Sequence, residues 1–207
     1  MKPSASTTAI HTHSSRRYWL STLLLGVVLP LSWTANADAT TTIFLKWSDG
    51  SIFGDSVQHP GQVVLTSYSQ GDSNPVNLTR VGAGGGGGRA TGRPTCGQVT
   101  IMKQLDKTSP EFLAKVFEGS ITSATAPVTI SFEKPVGEGG TIQYYKVELY
   151  EVAVTSVTQN DNQADIVTET IQLEAGRFRF TYTPQNVEGS GGNPVIFGYD
   201  CLRNRPF

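Results

Sequence analysis

Between Ile142 and Val157 apolar and polar side chains alternate, and the alternation changes phase partway along. Tyr145, Val147 and Leu149 occupy odd positions with Lys146 and Glu148 between them, whereas Val152 and Val154 occupy even ones. The side-chain period of a strand is two, so a straight strand cannot bury both halves of this segment on one face. The pattern predicts an extra residue or a sharp bend near Tyr150-Glu151, as in a strand that turns the corner of a barrel.

The other extended segments fit such an architecture. Residues 43–47, 62–68 and 98–105 read as strands rich in Val, Ile, Thr and Phe, the first closed by the turn residues Ser48-Asp49-Gly50. In residues 128–133 every even position is apolar and every odd one polar, which predicts a half-buried strand with one wet face. Residues 165–173 and 177–182, joined at Glu174-Ala175-Gly176, read as a hairpin.

One helix is expected, over 110–118. Ser109 stands at the cap, Pro110 at the first helical position and Glu111 in the first turn. Phe112, Leu113, Val116 and Phe117 supply an apolar face, and Gly119 is placed to stop the helix. The fold class that follows is mainly β, with a single short helix.

Two stretches are glycine-rich, 82–92 and 189–192. The first contains Gly84, Gly85, Gly86, Gly87 and Gly88 followed by Arg89. A phosphate-binding loop needs Gly-Lys-Ser/Thr entering a helix, whereas here Arg89-Ala90-Thr91 precedes a strand, so a flexible loop is expected.

The N-terminus reads as a targeting segment over 1–37, with a domain over 38–207. A basic stretch ends at Arg16-Arg17, an apolar run of roughly 15 residues follows, and small residues offer cleavage after Ala37 or Ala39. That run is short against the roughly 20 residues of a membrane span, so no membrane insertion is expected after cleavage. Ser15-Arg16-Arg17-Tyr18-Trp19-Leu20 fits either a general secretory or a twin-arginine signal. The expected location is therefore periplasmic or extracellular. Without Lys2, Arg16 and Arg17 the domain carries 13 basic against 17 acidic residues, a balance with no footprint for nucleic acid.

Export bears on the two cysteines, Cys96 and Cys201. An even count in an oxidising compartment favours a disulfide, and two buried free thiols are the alternative. Closing so long a loop contributes roughly 4 kcal/mol in the chain-entropy model.

The residues point away from catalysis. His59 is the single histidine of the domain and stands beside Pro60-Gly61 in an expected exposed turn, and no nucleophile-elbow motif is present. No His/Cys cluster has metal-ligand spacing, and no cofactor is expected. Scattered carboxylates leave a glycosidase-type pair as the residual enzymatic alternative.

Five segments, taken in order, resemble the haemolysin-coregulated protein (Hcp) family, the tube subunits of type VI secretion systems. They are Ile43-Phe44-Leu45-Lys46, the passage from Val99 through Lys103-Gln104-Leu105-Asp106-Lys107-Thr108-Ser109-Pro110, the strand from Tyr144 to Leu149, Thr181-Tyr182-Thr183-Pro184-Gln185, and Gly198-Tyr199-Asp200 with Asn204 near the end. The resemblance implies a small β-barrel of two sheets with a flanking helix. It also implies self-assembly into hexameric rings that stack into a tube, with other secretion-system components or effectors as further partners. It assigns the loop containing Gly84–Arg89 to ring stacking and the helix at 110–118 to a ring interface or the channel side. Family members ordinarily lack a signal peptide, so an exported chain departs from the pattern. A secreted monomeric binding module, or an effector keeping the fold, is the second reading. It would gather Trp47, Tyr68 or Tyr150 into one exposed patch, where core packing is the plainer expectation.

Overall fold

The computed structural model describes residues 40–77, 90–136, 140–161, 166–186 and 190–207. The leader and the run Gly84–Arg89 lie outside these.

Among the described residues the chain forms eleven strands and one helix. In order they are β1 (Thr42–Lys46), β2 (Val63–Leu65), β3 (Ser67–Gln70), β4 (Val76–Asn77), β5 (Ala90–Thr91), β6 (Val99–Gln104), α1 (Ser109–Glu118), β7 (Val128–Val136), β8 (Gly140–Asn160), β9 (Thr168–Tyr182), β10 (Val195–Asp200) and β11 (Arg205–Pro206).

The long β8–β9 hairpin organises everything else. Its first part, Tyr145 to Tyr150, pairs with Arg177 to Tyr182 of β9, and on its other side with β7. Its second part, from Val152, pairs with the first half of β9. That half of β9 carries β6 on its other edge, while the second half carries β10. Two sheets therefore share one bent arm: β2-β1-β7-β8-β9-β10-β11, and β8-β9-β6-β3. They approach each other again where β2 runs into β3, because Thr66 between them donates its N–H to the Met102 carbonyl of β6 at 2.8 Å. The result is a mainly β, barrel-like fold with α1 at its side.

The phase change sits at Glu151, whose φ is 56°, directly across from Gly176. Both strands change face at this rung. In β8 the buried set passes from Val147 and Leu149 to Val152 and Val154, and in β9 from Leu173 and Ala175 to Phe178. The pairing register runs through the corner unchanged and shifts only past Val154, where Thr155 is the extra residue. A left-handed residue facing a glycine is thus the turning device, and the bulge comes afterwards.

Two strand expectations need correction. Glu174-Ala175-Gly176 is not a hairpin turn, because Glu174 and Ala175 pair with Ala153 and Val152 in the middle of the single strand β9. A glycine placed to let two strands bend together has the same sequence signature as a turn. Nor is the polar face of β7 wet. Ser131 and Glu133 are both buried, and Gln58 and His59 of the β1–β2 loop lie against the Glu133 carboxylate. His59 Nε2 stands 2.9 Å from a Glu133 carboxylate oxygen, and its ring packs edge-on against Phe44 with centroids 4.6 Å apart. His59 is therefore half-buried rather than an exposed turn residue.

The barrel interior holds the core. Leu45, Ile101, Ile130, Leu149, Ile171 and Leu173 are fully enclosed, with contributions from five strands. Trp47 is buried there against Phe112 of α1, Tyr68 meets Phe132, and Tyr150 is buried beneath Phe207. The three aromatics of the binding-module reading therefore go to three different places.

Candidate functional surfaces

The passage from β6 into α1 is built around a buried charge. Lys103 is fully enclosed, and its ammonium donates to a Glu169 carboxylate oxygen at 2.9 Å, Asp106 Oδ1 at 2.8 Å and the Ser109 hydroxyl at 3.0 Å. Ser109 in turn donates to Glu169 at 2.6 Å, and Gln159 to its other oxygen at 2.7 Å. Burial pushes the Glu169 carboxyl up, but these donors outweigh it and hold the group below the usual carboxylate range. Asp106 is held low in the same way, against burial, by Lys103 and Thr108. A buried charge is tolerated only when paired and fully hydrogen-bonded, so this cluster fixes where α1 begins against β6 and β9.

That duty alters the helix start. The cap residue is Thr108, not Ser109, and its hydroxyl goes to Asp106 instead of closing the helix end. Gly119 ends α1 as expected, with φ 59° and its N–H on the Lys115 carbonyl at 3.1 Å. Pro110 stands in the first turn, Phe112 is buried and Val116 packs on the core, while Leu113 is half-buried. Phe117 leaves this face altogether and is 86% exposed.

The glycine-rich segment is held at its base by a short ribbon, β4 paired with β5, and by mutual hydrogen bonds of Ser73 and Thr95 at 3.0 and 2.7 Å. Gly97 closes the ribbon with its N–H on Asp72 at 2.9 Å, and a Cβ there would overlap the Gly71 carbonyl. Cys96 stands at this base and is joined to Cys201, with Cα atoms 6.1 Å apart. The disulfide thus ties the foot of the glycine-rich loop to the end of β10.

Two features here were not expected from the sequence as surfaces. The first is the N-terminal half of β10. Its partner β11 covers only Tyr199 and Asp200, so, among the described residues, 195–197 keep an open edge. All three are apolar and exposed: Val195 by 67%, Ile196 by 60% and Phe197 by 55%. The second is an aromatic row across β9 and β10, in which Phe178, Phe180, Phe197 and Tyr199 follow one another in stacked contact. Opposite it, Asp72, Ser73 and residues 94–96 complete a cleft of roughly 330 Å3. Pro194-Val195-Ile196-Phe197 was the available signal, but four residues without alternation do not announce a strand.

Beyond β10 the chain doubles back. The ring of the final residue, Phe207, lies edge-on to Tyr150 at 6.4 Å, and the Arg177 and Arg179 guanidiniums stand 5.8 and 5.5 Å from it. Arg177 also pairs with Glu151 at 3.1 Å and donates to the Ala124 carbonyl, bracing the corner of the barrel. Among the described residues no group of three or more His, Cys, Asp or Glu is arranged to hold a metal.

These features define a β-barrel protein whose distinguishing parts are an open strand edge, a ribbon-based loop and a disulfide-tied end. The model of the family described as "Type VI secretion system effector, Hcp" matches residues 44–182, and the chain belongs to that family. Solved structures agree in fold. One described as a type six secretion system protein has a TM-score of 0.68 at 18% identity, with 81% of this chain and 100% of that chain covered. Hcp1 from Salmonella typhimurium gives 0.58 at 20% identity, covering 81% and 99%. A type VI secretion system effector from Yersinia pestis gives 0.55 at 14% identity, covering 76% and 98%. No curated protein sequence matches the chain.

Proposed function

We propose that this chain is an exported structural subunit that associates head to tail with copies of itself into a closed ring of about six members. The observation that supports this reading is the open edge of β10. Three consecutive exposed apolar residues on a strand with one open edge are a surface suited to another chain, and on a barrel of the Hcp family that chain is a second copy. Residues 1–37 act as a cleavable export signal, and the assembled ring acts outside the cytoplasm. The loop containing Gly84–Arg89 joins one ring to the next, and Phe117 on α1 is a second exposed contact point. Secretion-system components or effectors would meet the ring rather than the single subunit.

The edge can be tested directly. Ile196→Glu places a charge on the exposed strand without touching the core, so the fold should persist while sedimentation shows the assembly reduced to monomers. An assembly unchanged by Ile196→Glu would remove β10 from the interface. A second reading rests on the aromatic cleft between Phe197 and Asp72, which gives a monomer an apolar site for a ligand or partner side chain. A stable monomer that loses binding of a hydrophobic dye on Phe197→Ser would favour it.

A further inference from the structure

The segment after β10, residues 201–207, is an exposed strap that touches the barrel chiefly at its two ends, through Cys201 and through Phe207 over Tyr150. Cys201 is half-buried and the six residues that follow are all exposed. Apart from the contacts of the Phe207 ring, its non-covalent attachments are hydrogen bonds and ion pairs at the surface, including Tyr199 on Asn204 and the Arg203 N–H on Asp200, both at 2.8 Å. The Cys201 N–H reaches the Gly176 carbonyl at 3.0 Å, and Arg93 donates to the carbonyls of Cys201 and Leu202 at 2.8 and 3.3 Å. Arg203 returns to Asp200 at 3.1 Å, β11 makes two pairings, and the Phe207 N–H meets the Gly198 carbonyl at 3.2 Å. A segment with so little apolar burial belongs to the low end of local stability. The one covalent attachment is the Cys96–Cys201 bond. The family match ends at residue 182, so the strap and one of its two cysteines lie beyond it.

We propose that the Cys96–Cys201 cystine is a redox latch, opened by a protein dithiol of the disulfide-oxidoreductase class. In the oxidised chain it holds the strap over the end of β10 and over Tyr150, and its reduction frees the strap while the barrel stays folded. The exchange balances without a further reactant. One thiolate of the dithiol bonds to a sulfur of the cystine and the other sulfur leaves as a thiolate. The second thiol of the dithiol then attacks the sulfur of the first and expels the cysteine still bonded to it, so that the dithiol ends as a disulfide and Cys96 and Cys201 end as thiols. Both cysteines are half-buried rather than enclosed, so an incoming thiolate can reach the bond. None of the fully enclosed residues lies in the strap, of which Cys201 alone packs against the edge of the core, so the barrel can stay folded without it. Opening the latch removes β11, and the free edge of β10 then extends from its first half to the whole strand. It also uncovers Tyr150 with Arg177 and Arg179. The latch therefore sets how much of the proposed assembly edge is on offer, and in that consequence it rests on the ring reading.

Hydrogen exchange read by mass spectrometry tests the latch on the full chain, oxidised and then reduced with a phosphine. Amides of residues 199–207 should exchange about tenfold faster or more after reduction, with β8 and β9 unchanged between residues 147 and 180. Cys201→Ser should give the same pattern without reductant. Equal protection of 199–207 in both states would overturn the proposal. So would loss of protection throughout β8 and β9, which would make the cystine a staple of the whole fold. Exchange at the strap is read equally in a ring or a monomer, so a chain that fails to assemble contradicts the ring reading and leaves this result standing.

Discussion

Lys103 and Glu169 are both fully enclosed, and neither can lose its partner cheaply. Glu169→Gln leaves an ammonium buried with one carboxylate, Asp106, still beside it. The expected loss is about 3–5 kcal/mol by denaturant titration, whereas Lys103→Met combined with Glu169→Leu should recover most of it. Acid should act on the same cluster. Glu169 and Asp106 are held below their ordinary range, so the stability they contribute is fully present above the unfolded-state value, near pH 4, and is lost as pH falls through the lower folded-state values. The thermal midpoint should therefore be flat from about pH 7 to 5 and fall below about pH 4. A midpoint unchanged down to about pH 2 would contradict this assignment. The passage from Lys103 to Pro110 was legible as a strand-to-helix transition, yet the cluster within it was not. Glu169 and Gln159 come from strands more than fifty residues away, and nothing local marks Ser109 as a partner of a buried carboxylate rather than a helix cap.

At the scale of elements, the alternation in residues 142–157 was the most informative signal, and the corner it implied stands at Glu151. Its other half was misread because β9 changes face at Gly176, and a glycine between two extended runs reads as a turn until its partner strand is known. Gly176→Val should disturb this corner, since even a Cβ there would stand 3.0 Å from Leu202 and 3.2 Å from Glu151. A loss of about 1–3 kcal/mol is expected from such crowding, measured by chemical denaturation. The buried polar face of β7 was hidden for a different reason. A loop that folds over a strand leaves no period in the sequence, and Glu133 looks like any solvent-facing residue until His59 is found against it. In α1 the 3.6-residue period overextended the apolar face by one position. Phe112→Ala should cost about 3–5 kcal/mol, whereas Phe117→Ala should stay within about 0.5 kcal/mol and act only on association.

For the whole molecule, five short segments in order were enough to point to the Hcp family, and the fold agrees with what they imply. The surfaces that distinguish this member were less legible. Residues 195–197 are apolar without alternation, so no period of two marks them as a strand. The cysteine pair was visible, but its placement at the foot of a loop and the end of a strand exists only in three dimensions. The account's central claim is that this barrel assembles with copies of itself, and the mass of the oxidised, exported protein in solution measured by light scattering tests it most directly. The account expects one species near six subunits, seen as hollow rings when imaged. A monodisperse monomer at high concentration would contradict it, and would leave a barrel of this family that had kept the fold and given up the ring.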